Sequence, residues 1–481
     1  MKFTKKFASV LLTLIMVLAM ATTAFAAVEA GSITIQDAVV GHTYTVYQIL
    51  DLESYNATAG AYAYKAAPNW AAFIGSAAIK GVYVNVDDQG YVTWIENADA
   101  AAFAKAAQQY AKDNSIANQG SVTATTTEVS FNSLDLGYYL VDSTLGTLCS
   151  LDTTNPNVVM EEKNEVPTNA KEVEEDSTGA YGETNDADIG QTVNFQSTII
   201  AQAGAENYVF HDTMSAGLTY GSVTGITLNG TEIVNTNNQA YSVVSTALQD
   251  GCTFEVRFTQ AFCDTLKAND TIVISYTATV NENAVIAGNG NPNESKLSYG
   301  DSTDIKTTPP STTITYTWDV DVFKYTLLDN EEAPLAGAVF TLSKNADGTN
   351  PIALVDEGSN VYRVAMADET GTITEITTDT TGQFTIQGLD ADTYYLTEIQ
   401  APAGYNKLAG AVTIVIGENG AINASTDAPQ GVEQIAILNQ TGAELPSTGG
   451  IGTTVFYVLG SILVIGAVVV LVTRKRMNAN G

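Results

Sequence analysis

Short segments of β-branched and aromatic residues recur along the chain, separated by glycine, asparagine and aspartate. Seven of them are YVTWI, ITLNGTEIV, TFEVRF, TIVISYTATV, GAVFTL, QFTIQ and VTIVI. Residues of this kind favour strands, and the residues between them favour turns. Short strands at this spacing are typical of β-sandwiches. The chain is therefore predicted to be all-β over most of its length.

Helical signals occur only in the first third of the chain. The segment NADAAAFAKAAQQYAKDN, residues 97–114, is rich in alanine and places Phe103, Ala106, Ala107 and Tyr110 on one face of a helix. A shorter helix is predicted over NWAAFIGSAAI. The first domain is thus expected to be a β-sandwich with added helices.

The first 26 residues have the pattern of a secretory signal peptide. Lys2, Lys5 and Lys6 precede an apolar run, which ends at the small residues of Ala24-Phe25-Ala26. A basic start, an apolar centre and a small-residue exit are the features that signal peptidase requires. We expect cleavage after Ala26 and export of the remainder.

A second apolar segment lies near the end of the chain. Residues 453–473 contain no charge, and Arg474, Lys475 and Arg476 follow directly. Twenty-one uncharged, mostly apolar residues are long enough to span a bilayer as a helix, and the cations favour the cytoplasmic side. The body between the two segments is predicted to lie outside the cell.

The exported body is strongly acidic. Six of the 20 Lys and Arg residues lie in the two terminal segments, whereas all 53 Asp and Glu residues lie in the body, which leaves 14 cations against 53 acids. Such a surface repels nucleic acid and anionic lipid. We therefore expect no nucleic-acid partner.

Signals for metal binding or enzymatic chemistry are weak. The three cysteines, Cys149, Cys252 and Cys263, form no CxxC pair. Cys252 and Cys263 either form a disulfide or remain buried thiols, and the sequence leaves both open. His211 adjoins Asp212, but no serine or cysteine nucleophile motif accompanies them. The acidic turns lack the full spacing of a calcium loop. No metal, cofactor or enzymatic activity is predicted.

Two polar, proline-containing stretches divide the body. They are EEKNEVPTNAKEVEED at 161–176 and KTTPPSTTITYTWDVDVFKYT at 306–326. We place three domains at residues 27–165, 166–312 and 313–441. Residues 1–26 then form the signal peptide, and residues 442–481 form the C-terminal segment.

The C-terminal segment resembles a known cell-wall sorting signal. Leu445, Pro446, Ser447, Thr448 and Gly449, followed by the apolar span and the basic tail, resemble the LPXTG signal read by sortases of Gram-positive bacteria. The segments GYYLVDS, EEKNEVPTNAKEV, PLAGAVFTL and YYLTEIQAPAGYN resemble the backbone subunits of sortase-assembled pili. This resemblance implies tandem immunoglobulin-like β-sandwich domains of the collagen-adhesin B and A types.

The resemblance also implies a function. A sortase cysteine would attack the Thr448 carbonyl, release the chain from Gly449 onward and pass Thr448 to a lysine of another subunit. In such pilins this lysine follows the last strand of the first domain, which indicates Lys163 in VVMEEKNEVPT, although Glu161-Glu162 replaces the Tyr-Pro found in many relatives. Lys171 is the nearby alternative.

The partners implied are a class C sortase for polymerisation, a housekeeping sortase for anchoring to peptidoglycan, copies of the chain and minor pilins. The chain would then be the shaft subunit of a cell wall-anchored fimbrium. The alternative is a singly wall-anchored adhesin or a minor pilin.

Domains of this kind form internal Lys–Asn isopeptide bonds. The reaction needs a neutral amine and a protonated carboxyl group, and burial shifts both pKa values in the required directions. In the third domain the resemblance indicates Lys324, Glu398 and Asn439. Strand alternation places Val320, Val322 and Lys324 on one face, so the lysine is expected to point inward.

The middle domain resembles the variant in which aspartate is the acid. Lys171, Asp212 and Asn293 are the expected members, with Asn289 and Asn291 as alternative electrophiles. The first domain is expected to lack a bond. Gln36 occupies the place of the lysine, although Asp142 and Asn164 could supply the acid and the amide.

Overall fold

The computed structural model of the protein describes residues 30–56, 61–143, 146–150, 157–162, 166–300, 302, 304–425, 434–441 and 451–477. Within these residues, strands form six sheets, two in each of three successive domains. The all-β prediction is confirmed.

The first domain contains ten described strands and two helices. In its smaller sheet the strand order is β10-β1-β7, and in its larger sheet it is β4-β5-β3-β2-β8-β9, with β6 paired to β2. The strands are β1 Gly31–Gln36, β2 Thr43–Asn56, β3 Ala61–Ala66, β4 Val84–Val86, β5 Tyr91–Trp94, β6 Gly120–Thr123, β7 Glu128–Leu134, β8 Gly137–Ser143, β9 Gly146–Ser150 and β10 Asn157–Glu161; the helices are α1 Ala71–Ile74 and α2 Ala100–Asp113.

Helix α2 is confirmed but begins three residues later than predicted. Asn97 has a φ of 62°, in the left-handed region that a right-handed helix excludes. The Asp99 carboxylate caps the helix by accepting hydrogen bonds from the N–H groups of Ala101 and Ala102, both at 3.0 Å. The second predicted helix is reduced to the single turn α1, which follows a 3₁₀ turn at Pro68–Trp70.

The middle domain consists of two facing sheets. Their strand orders are β12-β11-β14-β20-β16-β17 and β13-β23-β21-β15-β19-β18, with β22 paired to β21. The strands are β11 Thr168–Glu175, β12 Ala180–Gly182, β13 Thr184–Asp186, β14 Thr192–Ile200, β15 Val209–Met214, β16 Leu218–Leu228, β17 Thr231–Glu232, β18 Tyr241–Val244, β19 Phe254–Phe258, β20 Thr271–Val280, β21 Asn291–Tyr299, β22 Lys306–Thr307 and β23 Ser311–Tyr316; α3 spans Gln260–Cys263.

The segment ITLNGTEIV forms a hairpin rather than one strand. Asn229 and Gly230 both have positive φ, which makes the tight turn that joins β16 to β17.

The third domain has the same two-sheet plan. The strand orders are β25-β24-β30-β28-β27, with β34 paired to β24, and β29-β26-β31-β32-β33. The strands are β24 Trp318–Leu328, β25 Glu331–Pro334, β26 Val339–Ser343, β27 Leu354–Gly358, β28 Val361–Val364, β29 Ile376–Thr377, β30 Gln383–Leu389, β31 Thr393–Gln400, β32 Val412–Ile416, β33 Ile422–Ala424 and β34 Gln434–Leu438; helix α4 spans Ile451–Met477.

The predicted boundary at residue 312 falls inside a strand. Strand β23 pairs with β13 and β21, so it belongs to the middle domain, and the third domain begins with β24. The Pro309-Pro310 break thus precedes the last strand of the middle domain rather than the first strand of the next.

Helix α4 covers the predicted membrane span. Some of its side chains, at both ends, lie outside the described set. Among the described residues, no helix is both long enough and apolar enough to cross a membrane. The span expected over residues 453–473 stays a prediction.

Candidate cross-linking sites

In the third domain, the first and last strands lie side by side. β24 and β34 run parallel, with Lys324 opposite Ile437, and Asn439 follows the end of β34. Glu398 comes from β31 in the facing sheet. Val320, Val322 and Lys324 are all buried, which confirms the predicted alternation. The three predicted residues therefore meet in the interior, between the two sheets.

The contacts among these residues form a closed cluster. The Lys324 Nζ atom lies 2.5 Å from Asn439 Oδ1, and Asn439 Nδ2 donates a hydrogen bond of 2.7 Å to Glu398 Oε1. The same Oε1 atom is 3.6 Å from Lys324 Nζ. The backbone N–H of Leu408 donates to Glu398 Oε2 at 2.7 Å and fixes the carboxyl group. The side chains of Lys324 and Glu398 are 0 % exposed.

This geometry suits an attack by the lysine on the amide. Burial lowers the pKa of Lys324 to about 8, against the Coulombic effect of Glu398. The lowered pKa makes the neutral, nucleophilic form of the amine more accessible near neutral pH. Glu398 Oε1 adjoins both the attacking nitrogen and the amide nitrogen that would leave. One carboxyl oxygen can therefore serve both proton transfers.

In the middle domain, the predicted residues come from opposite sheets. Lys171 lies on β11, whereas Asp212 lies on β15 and Asn293 on the adjacent β21. The Lys171 Nζ atom donates to Asp212 Oδ2, and both side chains are 0 % exposed. The Tyr276 hydroxyl donates to the same carboxylate oxygen at 2.5 Å. A bond between Lys171 and Asn293 would join the two sheets.

Burial shifts the two titratable groups in opposite directions. Desolvation lowers the pKa of Lys171 to about 8 and raises the pKa of Asp212. Both shifts favour the uncharged forms, a neutral amine and a protonated acid. The rings of Phe195 and Tyr276 lie 5.4 and 5.1 Å from Lys171 Nζ and supply much of the apolar wall.

The three asparagines of the β21 region differ in their surroundings. The Asn291 amide accepts from the Val285 N–H at 2.8 Å and donates to the Val285 and Thr315 carbonyls, so it has a structural role. Asn289 is exposed in a turn. Asn293 is fully buried, and its amide faces Asp212 and Tyr276 without a well-formed hydrogen bond to either. Of the three asparagines, it is the one placed beside the acid of the reaction.

Tyr276 is a member of this site that the sequence analysis missed. It lies on β20, where alternate residues from Ile272 onward are buried. Its inward position was therefore readable, but its contact with Asp212 depends on how the two sheets pack.

The first domain shows no comparable cluster among its described residues. Gln36 is exposed at the end of β1, and the Asp142 carboxylate accepts a 2.7 Å hydrogen bond from the Gln108 amide of α2. Asn164 lies outside the described residues. Asp142 therefore helps to hold α2 against β8.

The residues predicted for intersubunit linkage fall in undescribed segments. Lys163 and residues 445–449, the predicted sorting signal, lie outside the described residues. Residues 157–162, directly before Lys163, are described: β10 is an edge strand of its sheet, and the Glu162 N–H donates to the Gln36 carbonyl at 2.8 Å. Middle-domain strand β11 begins at Thr168, so Lys163 lies in the short segment between the two domains.

The structure decides between the two alternatives for Cys252 and Cys263, a disulfide or two free thiols. Cys252 and Cys263 are both free thiols. The disulfide alternative is therefore excluded in this structure, and the side chain of Cys149 is outside the described set.

Comparison with known sequences gives three family matches. Residues 189–303 match the Gram-positive pilin backbone subunit 2, Cna-B-like domain, and residues 323–429 match the SpaA prealbumin-like fold domain. Residues 437–479 match the LPXTG cell wall anchor motif. No match to the curated proteins was found.

Solved structures of similar fold were also found. The T6 backbone pilin of serotype M6 Streptococcus pyogenes has 14% identity and a TM-score of 0.52, with 87% of this chain and all of that chain covered. The major pilin SpaA of Corynebacterium diphtheriae has 14% identity and a TM-score of 0.47, with 85% and 100% covered. At 14% sequence identity, a structural similarity is evidence for the fold alone. Of the two structures, the T6 pilin, with its TM-score of 0.52, supports a shared fold.

Proposed function

Since this chain is a cell wall-anchored pilin backbone subunit of the Gram-positive type, we propose that it polymerises head to tail through Thr448 of one copy and Lys163 of the next. The observation that carries the proposal is the presence, in one chain, of a pilin backbone domain and a C-terminal LPXTG anchor. Thr448 lies in the C-terminal segment and Lys163 lies far from it in sequence, between the first two domains, so each copy carries both an acyl donor and a separate acceptor amine.

The linkage chemistry follows from the residue types. The thiolate of a class C sortase attacks the Thr448 carbonyl, and the Thr448–Gly449 bond breaks as Gly449 takes up a proton. The neutral Lys163 amine of the next copy then attacks the thioester, forms an amide and returns the thiol. A housekeeping sortase ends growth by supplying an amine of the peptidoglycan cross-bridge instead, and minor pilins join through the same chemistry.

The location of Lys163 supports its role as the nucleophile. It follows an edge strand of an acidic body and precedes the first strand of the middle domain. Lys171, the alternative acceptor, is fully buried and in contact with Asp212. A sortase thioester cannot reach an amine buried between two sheets.

We also propose two internal isopeptide bonds, Lys171–Asn293 and Lys324–Asn439. In each, the lysine nitrogen attacks the side-chain carbonyl carbon of asparagine, and the amide nitrogen leaves as ammonia. Asp212 and Glu398 move the protons. The fold holds Lys324, Glu398 and Asn439 in mutual contact, and it holds Lys171 against Asp212 with Asn293 buried beside that carboxyl group. Proximity therefore supplies much of the acceleration.

The mass of the protein tests both bonds together. Each bond removes one ammonia, so the intact mass of the processed chain is expected to fall two ammonia masses below the value calculated from its sequence. An intact mass equal to the value calculated from the sequence would contradict the proposal. A deficit of three would show that the first domain also forms a bond.

The unlinked first domain is expected to open more readily than the other two, which would help a sortase reach Lys163. Amide hydrogen exchange should therefore be faster in β1 and β7 than in β14 and β24, by about tenfold or more, because a cross-link suppresses the opening of the domain it closes. Equal exchange in the three domains would contradict this expectation.

Cell wall extraction tests the shaft assignment. The full chain is expressed with a class C sortase, and the wall extract is run on a denaturing gel. A ladder of high-mass species is the expected result. Monomer alone, released only by digestion of the wall, would overturn the shaft assignment and favour a singly anchored adhesin.

A further inference from the structure

Four potential metal-binding side chains of different types converge in the middle domain. They are His211, Asp250, Cys252 and Glu255, and one ligand atom from each lies within 4.8 Å of all the others. None of them belongs to the cross-linking cluster. The combination of imidazole, thiol and two carboxyl groups is unlike the exposed acidic clusters that are common on an acidic surface.

The local fold explains the convergence. In the antiparallel pair of β15 and β19, His211 stands directly opposite Glu255. Asp250 and Cys252 precede β19 in the turn that follows β18, and the Cys252 N–H donates to the Asp250 carboxylate at 3.2 Å. Three of the four side chains thus come from six consecutive residues, and cross-strand register supplies the fourth.

The spacing of the ligand atoms is close to that around a tetrahedral zinc ion. Nitrogen and oxygen ligands at about 2.0 Å from zinc lie about 3.3 Å apart, and a sulfur ligand at about 2.3 Å lies about 3.5 Å from them. Here His211 Nδ1 is 2.8 Å from Asp250 Oδ2 and 3.4 Å from Glu255 Oε1. Cys252 Sγ is 4.0 Å from His211 Nδ1 and 3.9 Å from Glu255 Oε1.

Neighbouring groups orient two of the ligands. The other ring nitrogen of His211, Nε2, is 2.8 Å from Ser298 Oγ, which leaves Nδ1 to face the cluster. The second carboxylate oxygen of Glu255 binds Arg257 Nε at 2.5 Å, which leaves Oε1 to face it. Hydrogen bonds of this kind commonly fix the ligands of metal sites.

A simpler reading is a hydrogen-bonded network among the four side chains. In that network His211 Nδ1 lies 2.8 Å from Asp250 Oδ2, whereas the Cys252 thiol makes only long contacts, 3.9 Å to Glu255 Oε1 and 4.0 Å to His211 Nδ1. The nearby cations are Arg257, already bound to Glu255, and Lys296, which lies opposite His211 on β21. A cation at the centre of the cluster would give the imidazole, the thiol and both carboxylates one common partner.

We propose that His211, Asp250, Cys252 and Glu255 bind one zinc ion. Zinc accepts nitrogen, sulfur and oxygen ligands together and favours four of them in a tetrahedron. The ion would fasten the turn before β19 to β15, the strand that also carries Asp212. It would take no part in the cross-linking reaction, because His211 and Asp212 point to opposite faces of β15.

The test uses the full chain, purified in detergent and stripped of metal with a chelator. Titration with Co²⁺ is expected to give tetrahedral visible bands and a thiolate-to-cobalt charge-transfer band that saturate at one ion per chain. Addition of Zn²⁺ should abolish both. Cys252→Ser should lose the charge-transfer band, and His211→Gln should weaken Zn²⁺ binding by at least about 100-fold, since loss of even a hydrogen bond to a ligand costs 10–100-fold.

Cys263→Ala is the matched control, because Cys263 is a buried free thiol in the same domain, outside the cluster. It should bind one cobalt ion with an unchanged spectrum. Far-ultraviolet circular dichroism checks that each variant keeps its β-structure. The proposal is overturned if the unaltered chain shows no saturable binding, or if folded Cys252→Ser keeps the charge-transfer band.

Discussion

Glu398→Gln is expected to leave the third domain without its cross-link. Glutamine preserves the size of the side chain but cannot release or take up the protons that the reaction moves. The variant should therefore retain one more ammonia than the unaltered protein. Its Lys324 and Asn439 would remain in contact but unjoined.

The stability of the third domain should fall with the bond. Lys324 and Asn439 are 115 residues apart. In the chain-entropy account of cross-links, closing a loop of about 100 residues stabilises a protein by about 4.7 kcal/mol. We expect the free energy of unfolding of this domain to fall by about that amount, and its resistance to protease to fall with it.

Mass spectrometry and chemical denaturation of the full chain measure the two effects. Glu331→Gln, an exposed change on β25 of the same domain, is the control and should alter neither. If Glu398→Gln still lost the same ammonia, the acid assigned to this reaction would be wrong. An unlinked domain of unchanged stability would contradict the structural role of the bond.

Lys163→Arg is expected to abolish polymerisation. Arginine keeps the positive charge, but its guanidinium group is not deprotonated in proteins and cannot act as the nucleophile. In cells that carry a class C sortase, the high-mass ladder should disappear. Monomer should persist, because anchoring through Thr448 needs no amine from the chain.

A second lysine change controls for general effects on the first domain. Lys80 is exposed in that domain, and Lys80→Arg should leave the ladder intact. A ladder that survived Lys163→Arg would transfer the acceptor role to another lysine. Loss of the ladder in both variants would mean that the effect is not specific to Lys163.

Local sequence patterns predicted the strands and the inward direction of Lys324. Val320, Val322 and Lys324 alternate with less buried residues along β24, so period-two reasoning was sufficient. The segments TIVISYTATV and VTIVI coincide with β20 and β32. These predictions succeeded because a strand with one buried face needs apolar side chains at every second position, and this alternation is visible within a few consecutive residues.

Features that depend on contacts between distant strands were not readable. The hydrogen bonds that give Asn291 a structural role come from Val285 and Thr315, which lie on other segments of the chain. The meeting of His211 with Glu255 depends on the register between β15 and β19. The membership of β23 in the middle sheet likewise depends on its pairing with β21 rather than on the prolines before it.

The linkage between subunits is tested most directly by the junction peptide of the polymer. Purified fibres are digested with a protease, and the branched peptides are sequenced by tandem mass spectrometry. The account predicts a peptide that ends at Thr448, joined by its carboxyl group to the side-chain nitrogen of Lys163. Thr448 joined to a different lysine, or found only on peptidoglycan amines, would contradict it.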